Sequence, residues 1–522
     1  MCNYNYDIIV IGGGCGGLTA AACAAKEGKS VLLLEKNGTV GGALSGFVRG
    51  RFEFDTSLRA VPDLNGSDIK AVFDELNISD KIQWQETDRA YRLITHGSDN
   101  SLIDAEIPFG RDAFVAAAEK YVPGSRRSVE RRMQLVSDVC EGFKYISSID
   151  GGLNPKNFKT LRKEHGNFMR TAAYSVDEVL SKLGVPKKAR DIFNALWVYY
   201  GVDTSQLNFA QYALMFGSYI AGGAVPKNGG VEIATALAEC IEDYGGEIRC
   251  NSPVERIIFE NKAAVGVILK NGEKLFAKHI ICNCSPTTAF TKLMKQKDVP
   301  ESAAKRINAC GFGVRAAVLY LGLNRSPEEL GIKDYSVFIT DTANTEKQQK
   351  LMKMLDGNNT VIAVCPNVII PERSPQGTSV LTLTTLYTDN CWANIEPENY
   401  FEAKDRLASK LVSVYEAATG INIRDSIEEL ETATPLTFAR ILGTPQGVGF
   451  GYRSDGINSL LSRISTESKD RDVNGLSFCG GWDVQLAGVS SSIASGRNCA
   501  YAALCELQDD KTDTEKEQKD ER

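Results

Sequence analysis

The amino-acid sequence predicts an α/β fold with α+β elements, and three observations carry that prediction. A β-branched run at 7–11 leads into the glycine cluster Gly12-Gly13-Gly14-Cys15-Gly16-Gly17 and then into an alanine-rich stretch ending at Gly28. The same logic of strand, glycine-rich turn and helix recurs at 475–506. Between them, strand signals return near Pro226 after a long charged and aromatic stretch. Apolar strands alternating with helices are what a parallel sheet with helices laid on it requires.

Taken in order, Asp7-Ile8-Ile9-Val10-Ile11 reads as a parallel strand buried on both faces. Leu18 to Glu27 form a small-residue helix stopped by Gly28, and Ser30 to Leu34 make a second apolar strand that ends at Glu35. Gly12-x-Gly14-x-x-Gly17 lies between strand and helix, the context that gives this pattern meaning. The first glycine permits the tight turn and the second lets backbone approach a pyrophosphate. The third lets helix and strand pack closely, with the anion on the helix amino terminus. Glu35, eighteen residues after Gly17, is placed to accept hydrogen bonds from a ribose. The unit is a Rossmann-like dinucleotide-binding βαβ, and by itself it allows NAD or FAD.

Residues 60 to 215 read as mainly helical, with helices at 111–121 and 125–147. An aromatic cluster follows at Trp197, Tyr199, Tyr200, Phe209, Tyr212, Phe216 and Tyr219. The segment Ala195 to Gly223 fits either ordinary helix core or the wall of a hydrophobic cavity or membrane-facing entrance. Beyond Pro226 come Gly229-Gly230, a helix to Tyr244, and strands at 247–250, 253–259 and 264–269. An Asn271-Gly272 turn joins the last of these to a strand at 275–284 as a hairpin. Further strands are predicted at 312–324, 335–340, 360–366 and 378–387, with an amphipathic helix at 400–418. The organisation is therefore a discontinuous dinucleotide domain (1–60, 220–290 and 430–508) interleaved with a substrate domain of mixed sheet and helices (61–219 and 291–429). The charged segment 509–522 predicts a disordered tail.

Composition removes several function classes. A net charge of -7, from 59 basic and 66 acidic residues, lacks the excess needed to neutralise nucleic acid. No secretion-type leader and no apolar run of membrane-spanning length are read, so the expectation is a cytoplasmic protein with at most peripheral membrane contact. The 14 cysteines are then expected as free thiols, with Cys282 and Cys284 as buried strand residues. His96, His165 and His279 lie far apart in no ligand pattern, so no metal site is expected.

Gly41-Gly42 follow soon after Glu35, and Arg51-Phe52-Glu53-Phe54-Asp55 come next. Here the chain resembles the phytoene desaturase, carotenoid isomerase and retinol saturase-like family of FAD-dependent oxidoreductases, within the wider amine-oxidase-like flavoproteins. The resemblance continues through Val225-Pro226-Lys227-Asn228-Gly229-Gly230 and Ser252-Pro253-Val254-Glu255-Arg256-Ile257. It ends on Cys479-Gly480-Gly481-Trp482-Asp483, Gly488-Val489 and Ser495-Gly496-Arg497. The order Gly481-x-Asp483-Val484 looks like the retinol saturase branch in particular. Two departures stand out. Ala43 occupies the place of the family's usual arginine, and Asp55-Thr56-Ser57 lacks the glycine two residues after the aspartate.

The resemblance implies FAD, held by Gly12, Gly14, Cys15, Gly16, Gly17, Glu35, Lys36, Gly41, Gly42 and Ala43 at one end of the chain. It adds Val254, whose backbone would meet the adenine, and Gly481, Asp483, Gly488 and Val489. Asp483 would bind the ribityl chain or a phosphate, and a helix from about Val489 would aim its amino terminus at the flavin carbonyl. The implied reaction is desaturation, saturation or cis-trans isomerisation of carbon-carbon bonds in a hydrophobic isoprenoid or polyene. With a single dinucleotide fingerprint, electrons would pass to or from a quinone, oxygen or a reductase. A flavin amine oxidase, which would favour an aromatic cage and a lysine beside the flavin, and a non-enzymatic FAD-containing carrier of an apolar molecule are the alternatives. No general acid or base can be assigned. Arg440 and Tyr452 fall where the family's substrate-side strand passes the flavin.

Overall fold

The computed structural model describes residues 4–64, 66, 68–149, 155–454, 473–482 and 488–520. Strand β1 (Tyr6–Ile11) is central because its Ile and Val side chains need cover on both faces. It runs parallel to β2 (Val31–Leu34) on one side and to the strand Lys274–Cys282 on the other, with Ile9 opposite both Leu32 and Ile280. Helix α1 (Cys15–Lys26) makes the crossover. Glu247–Arg249 extends the sheet beyond β2, while Ala263–Leu269 and Val254–Glu260 continue it as antiparallel strands on the far side. The expected hairpin is present, with Gly272 at φ +89° in its turn.

Lys274–Cys282 serves three partners, of which β1 is one. On the edge away from β1, its first half pairs antiparallel with Ala263–Leu269 and its second half pairs parallel with Leu476–Phe478, which adds the carboxyl-terminal segment to the sheet one strand away from β1. The helix Val489–Asp520 then packs against α1. A Cβ on Gly496 would lie 2.2 Å from the carbonyl oxygen of Gly16, so only glycine permits the approach. Leu18, Ile233, Leu237, Ile493 and Leu504 fill the core between these helices and the sheet. The helix continues across the charged segment for which composition predicts disorder, and side chains past Gln508 lie outside the described residues.

A second, seven-stranded sheet runs Ile427–Ala433, Arg315–Leu323, Ser379–Tyr387, Val361–Val364, Ser336–Ile339, Tyr91–His96, Leu102–Ile107. Only the pair Ser336–Ile339 and Tyr91–His96 is parallel. The helix Tyr400–Thr419 covers one face through Leu407, Leu411 and Tyr415. Tyr91–His96 and Leu102–Ile107 come from the stretch expected to be mainly helical. Leu102–Ile107 alternates exposed and buried at every residue, the period-two pattern of a half-buried strand. The remainder of that stretch is helical, including Arg126–Ser147 and Phe209–Ala221. A short ribbon, β3 (Gly46–Arg49) and β4 (Phe52–Asp55), bridges to the second sheet, where Phe54 meets Tyr320 edge-on at 5.8 Å.

Among the described residues, no helix is long and apolar enough to cross a membrane, and no histidine, cysteine or carboxylate cluster could hold a metal ion. No described cysteine is in a disulfide.

Candidate active site

The glycine turn is built as its spacing requires. Gly12 sits at φ +100°, and a Cβ on Gly17 would meet the Gly12 carbonyl oxygen at 2.1 Å. Gly14 begins α1 without a side-chain cap, and the helix carries no acidic residue in its first turn. Its amino-terminal amides therefore remain available to an anion. Gly41 donates its amide to the Gly13 carbonyl at 2.7 Å, and Gly41 and Gly42 adopt φ +113° and +57°. A Cβ on Gly42 would lie 3.1 Å from Gly14 Cα. The two glycine turns thus close on each other.

Glu35 is buried at the end of β2, where Oε2 accepts from the Gly13 amide at 2.8 Å and Oε1 from the Asn37 amide at 2.8 Å. Each oxygen keeps a second lone pair for the expected ribose hydroxyls. Lys36 points elsewhere: it is exposed, and Nζ donates to the Arg440 carbonyl at 2.8 Å. Val254 starts its strand opposite Leu269. Asp483 lies outside the described residues.

Asn283 was not singled out from the sequence. It follows the strand Lys274–Cys282, at the carboxyl end where open α/β sheets receive ligands. Its Nδ2 donates to the Gly12 carbonyl at 3.3 Å, and a Cβ on Gly14 would come within 2.8 Å of that nitrogen. The available signal was a polar residue ending an apolar parallel strand. Of the two cysteines expected as buried strand residues, Cys282 is one, whereas Cys284 lies beyond the end of the strand and is only half-buried, because the chain turns away from the sheet at Asn283.

Gly14, Cys15, Gly16 and Ala43 line one end of a cavity of about 950 Å³. Gly481, Trp482, Gly488 and Val489 line it too. The helix begins at Val489 as expected, again with no acid in its first turn. Two helix amino termini of matching polarity thus face one space, and glycines clear the backbone around it. These residues fit FAD: one terminus suits a pyrophosphate, and the other suits negative charge on a reduced flavin.

Asp55 also borders the cavity, held by the Gly230 amide at 2.7 Å and by Arg373 at 3.0 Å. Burial pushes its carboxyl upward, with Arg373 pulling the other way. Further on, the wall turns apolar and aromatic, with Val136, Ile362 and Leu386 beside Tyr199, Tyr200 and Tyr219. The two readings of Ala195 to Gly223 divide by face. Trp197, Phe209, Tyr212 and Phe216 are buried in the helical core, while Tyr199, Leu214, Met215 and Tyr219 line the cavity. Tyr452 lines it as well, its hydroxyl 2.8 Å from Thr287 Oγ1. Arg440 is exposed and off the wall.

Arg59, another residue the sequence did not mark, lies on the same wall. Its Nη1 donates to the Ala90 carbonyl at 2.9 Å and to Ser336 Oγ at 3.2 Å, and the guanidinium sits 4.9 Å from the Tyr219 ring centroid and 5.5 Å from that of Phe338.

A paired-sheet fold in which two helix amino termini, neither with an acid in its first turn, border a cavity with room for an extended dinucleotide defines an FAD-dependent oxidoreductase. Comparison with known proteins places it further: residues 15–504 match the flavin containing amine oxidoreductases, and the chain belongs to that family. It is similar to the all-trans-retinol 13,14-reductase of Danio rerio, 25% identical over 527 residues that cover 95% of this chain and 86% of that protein. It is likewise 25% identical over 537 residues to prolycopene isomerase 2, chloroplastic, of an Oncidium hybrid cultivar, covering 96% and 84%. In fold it is similar to a redesigned putrescine oxidase, with a TM-score of 0.63 at 13% identity over 96% of this chain and 99% of that one.

Proposed function

We propose that this FAD-dependent oxidoreductase desaturates, saturates or isomerises carbon-carbon bonds in a hydrophobic isoprenoid or polyene. The observation that carries the reading is the single cavity that runs from the uncapped end of α1 to a wall of Val136, Leu214, Met215, Ile362 and Tyr219. Bound FAD supplies a two-electron donor or acceptor, and the chain supplies orientation and a dry surface. Among the described residues no histidine lines the cavity, which suits chemistry that asks for alignment more than for proton transfer. The similarity to a retinol reductase and a prolycopene isomerase supports the same class. A substrate that partitions into lipid implies peripheral membrane contact, and a quinone, oxygen or a reductase would exchange electrons with the flavin. Photoreduced enzyme mixed anaerobically with a lipid extract is expected to reoxidise and to give a product shifted by two hydrogens, or a shifted isomer ratio with no net change. If neither the flavin spectrum nor any lipid changes, the reading fails.

One observation favours the amine oxidase alternative. Tyr199 lies 6.0 Å from Tyr219, 5.9 Å from Phe338 and 5.5 Å from Phe450, an aromatic cluster of the kind that reading asks for. The cluster, however, already holds the Arg59 guanidinium, and a like charge there repels an aminium substrate. Aliphatic amines are expected to leave the flavin oxidised; bleaching would reverse the preference.

A further inference from the structure

We infer that Arg59 receives an anionic group, a carboxylate at one end of an otherwise apolar substrate. The inference rests on reading the cavity as the substrate site and specifies what enters it.

The argument begins with charge. Among the described residues, the carboxylates on the cavity wall are Asp55 and Asp63. Asp55 is paired with Arg373, and Asp63 accepts from the Gly66 amide with Lys144 nearby. Arg59 has no carboxylate partner among the described residues. Its contacts are a carbonyl, a serine hydroxyl, the hydroxyls of Tyr199 and Tyr219 and aromatic faces, all neutral. A cation enclosed without a counter-charge costs folding free energy, which a bound anion would offset.

Donor geometry points the same way. A guanidinium carries five N–H donors, and Nη1 alone accounts for the Ala90 and Ser336 contacts. Nε is enclosed without an acceptor. The hydroxyl oxygens of Tyr199 and Tyr219 both approach the guanidinium and can accept from it, which leaves their own O–H groups, beside the N–H groups they do not use, as a donor cluster on the cavity wall. Such a cluster matches a carboxylate better than an alcohol, which supplies no charge. The surrounding apolar wall then takes the hydrocarbon part.

The test uses FAD-loaded protein and two probes that differ only in charge, cis-parinaric acid and its methyl ester, each a conjugated tetraene, titrated by fluorescence. The acid is expected to bind the wild type about tenfold more tightly than the ester or better, the range for a hydrogen bond to a charged group. In Arg59→Gln the ratio is expected to fall to about one with ester affinity unchanged. Arg59→Lys, a point charge without the fork, should give an intermediate ratio, and it decides the matter if Arg59→Gln does not retain FAD. Equal binding of acid and ester by the wild type, or an undiminished ratio in both variants, overturns the inference while leaving the proposed function standing. If neither probe binds, the cavity is not a site for apolar chains and both readings fall.

Discussion

Glu35 Oε2 accepts a hydrogen bond from the Gly13 amide at 2.8 Å, so the end of β2 braces the turn that begins α1. Its other oxygen holds the Asn37 amide. A glutamine of the same shape can accept from only one of these amides, and its own NH₂ would confront the other. Glu35→Gln is therefore expected to weaken FAD binding about tenfold, as loss of one charge-assisted hydrogen bond implies. The flavin-to-protein absorbance ratio after dialysis measures it, and an unchanged ratio would show that the turn stands without this brace.

Gly17→Ala tests the turn from inside. The added methyl would meet the Gly12 carbonyl oxygen at 2.1 Å, with backbone on both sides of the clash. The expected cost is on the order of 4 kcal/mol or more, and the protein should purify colourless or fail to purify. Gly222→Ala, off the cavity wall, with an extended backbone and a Cβ that meets nothing within 4 Å, should stay fully yellow. Equal flavin content in the two variants would refute the packing argument.

Glu75 joins the helix Asp68–Glu75 to Val489–Asp520 by accepting from Arg497 Nε at 2.7 Å and from the Tyr501 hydroxyl at 2.6 Å. Burial works to raise its carboxyl, but the hydrogen bonds from Tyr501 and Arg497 outweigh it and hold it below the ordinary 4.5. A carboxylate with a lowered value stabilises the fold above its unfolded value and loses that contribution as pH falls through the folded one. Since Arg497 is 40% exposed, solvent screening limits the contribution to about 1 kcal/mol. Urea midpoints of the wild type and Glu75→Gln should differ at pH near 7 and converge at pH near 3. A gap that persists in acid would assign the effect to packing.

Local signals were the ones the sequence displayed. The conformation of the glycine turn, the place of Glu35 at the end of β2, the Asn271-Gly272 hairpin and the start of the last helix at Val489 each depend on residues close in sequence, and the structure has each of these local features. Residues whose meaning comes from distant neighbours were hidden. Asn283 matters only because the strand before it lies beside β1, and Arg59 only because strands from two regions enclose it with Tyr199 and Tyr219. Lys36, expected among the residues that hold the cofactor, and Arg440, expected where the substrate-side strand passes the flavin, meet each other off the cavity wall. In that pair a lysine satisfies the last turn of the helix Pro435–Leu442, a capping role that spacing does not announce. The strand Leu102–Ile107 was legible through its alternation, but its charged exposed face obscured it.

The glycine-to-glycine contact between α1 and Val489–Asp520 also bears on how the protein comes into being. Gly16 and Gly496 are hundreds of positions apart, yet the backbone of one seats the other. A ribosome delivers the phosphate turn first and its buttress only hundreds of residues afterwards. Flavin capture therefore waits for every residue between the two, and pairing over such separation is slow. A yellow molecule is one whose distant segments have met, so the cofactor doubles as a visible certificate of completed assembly.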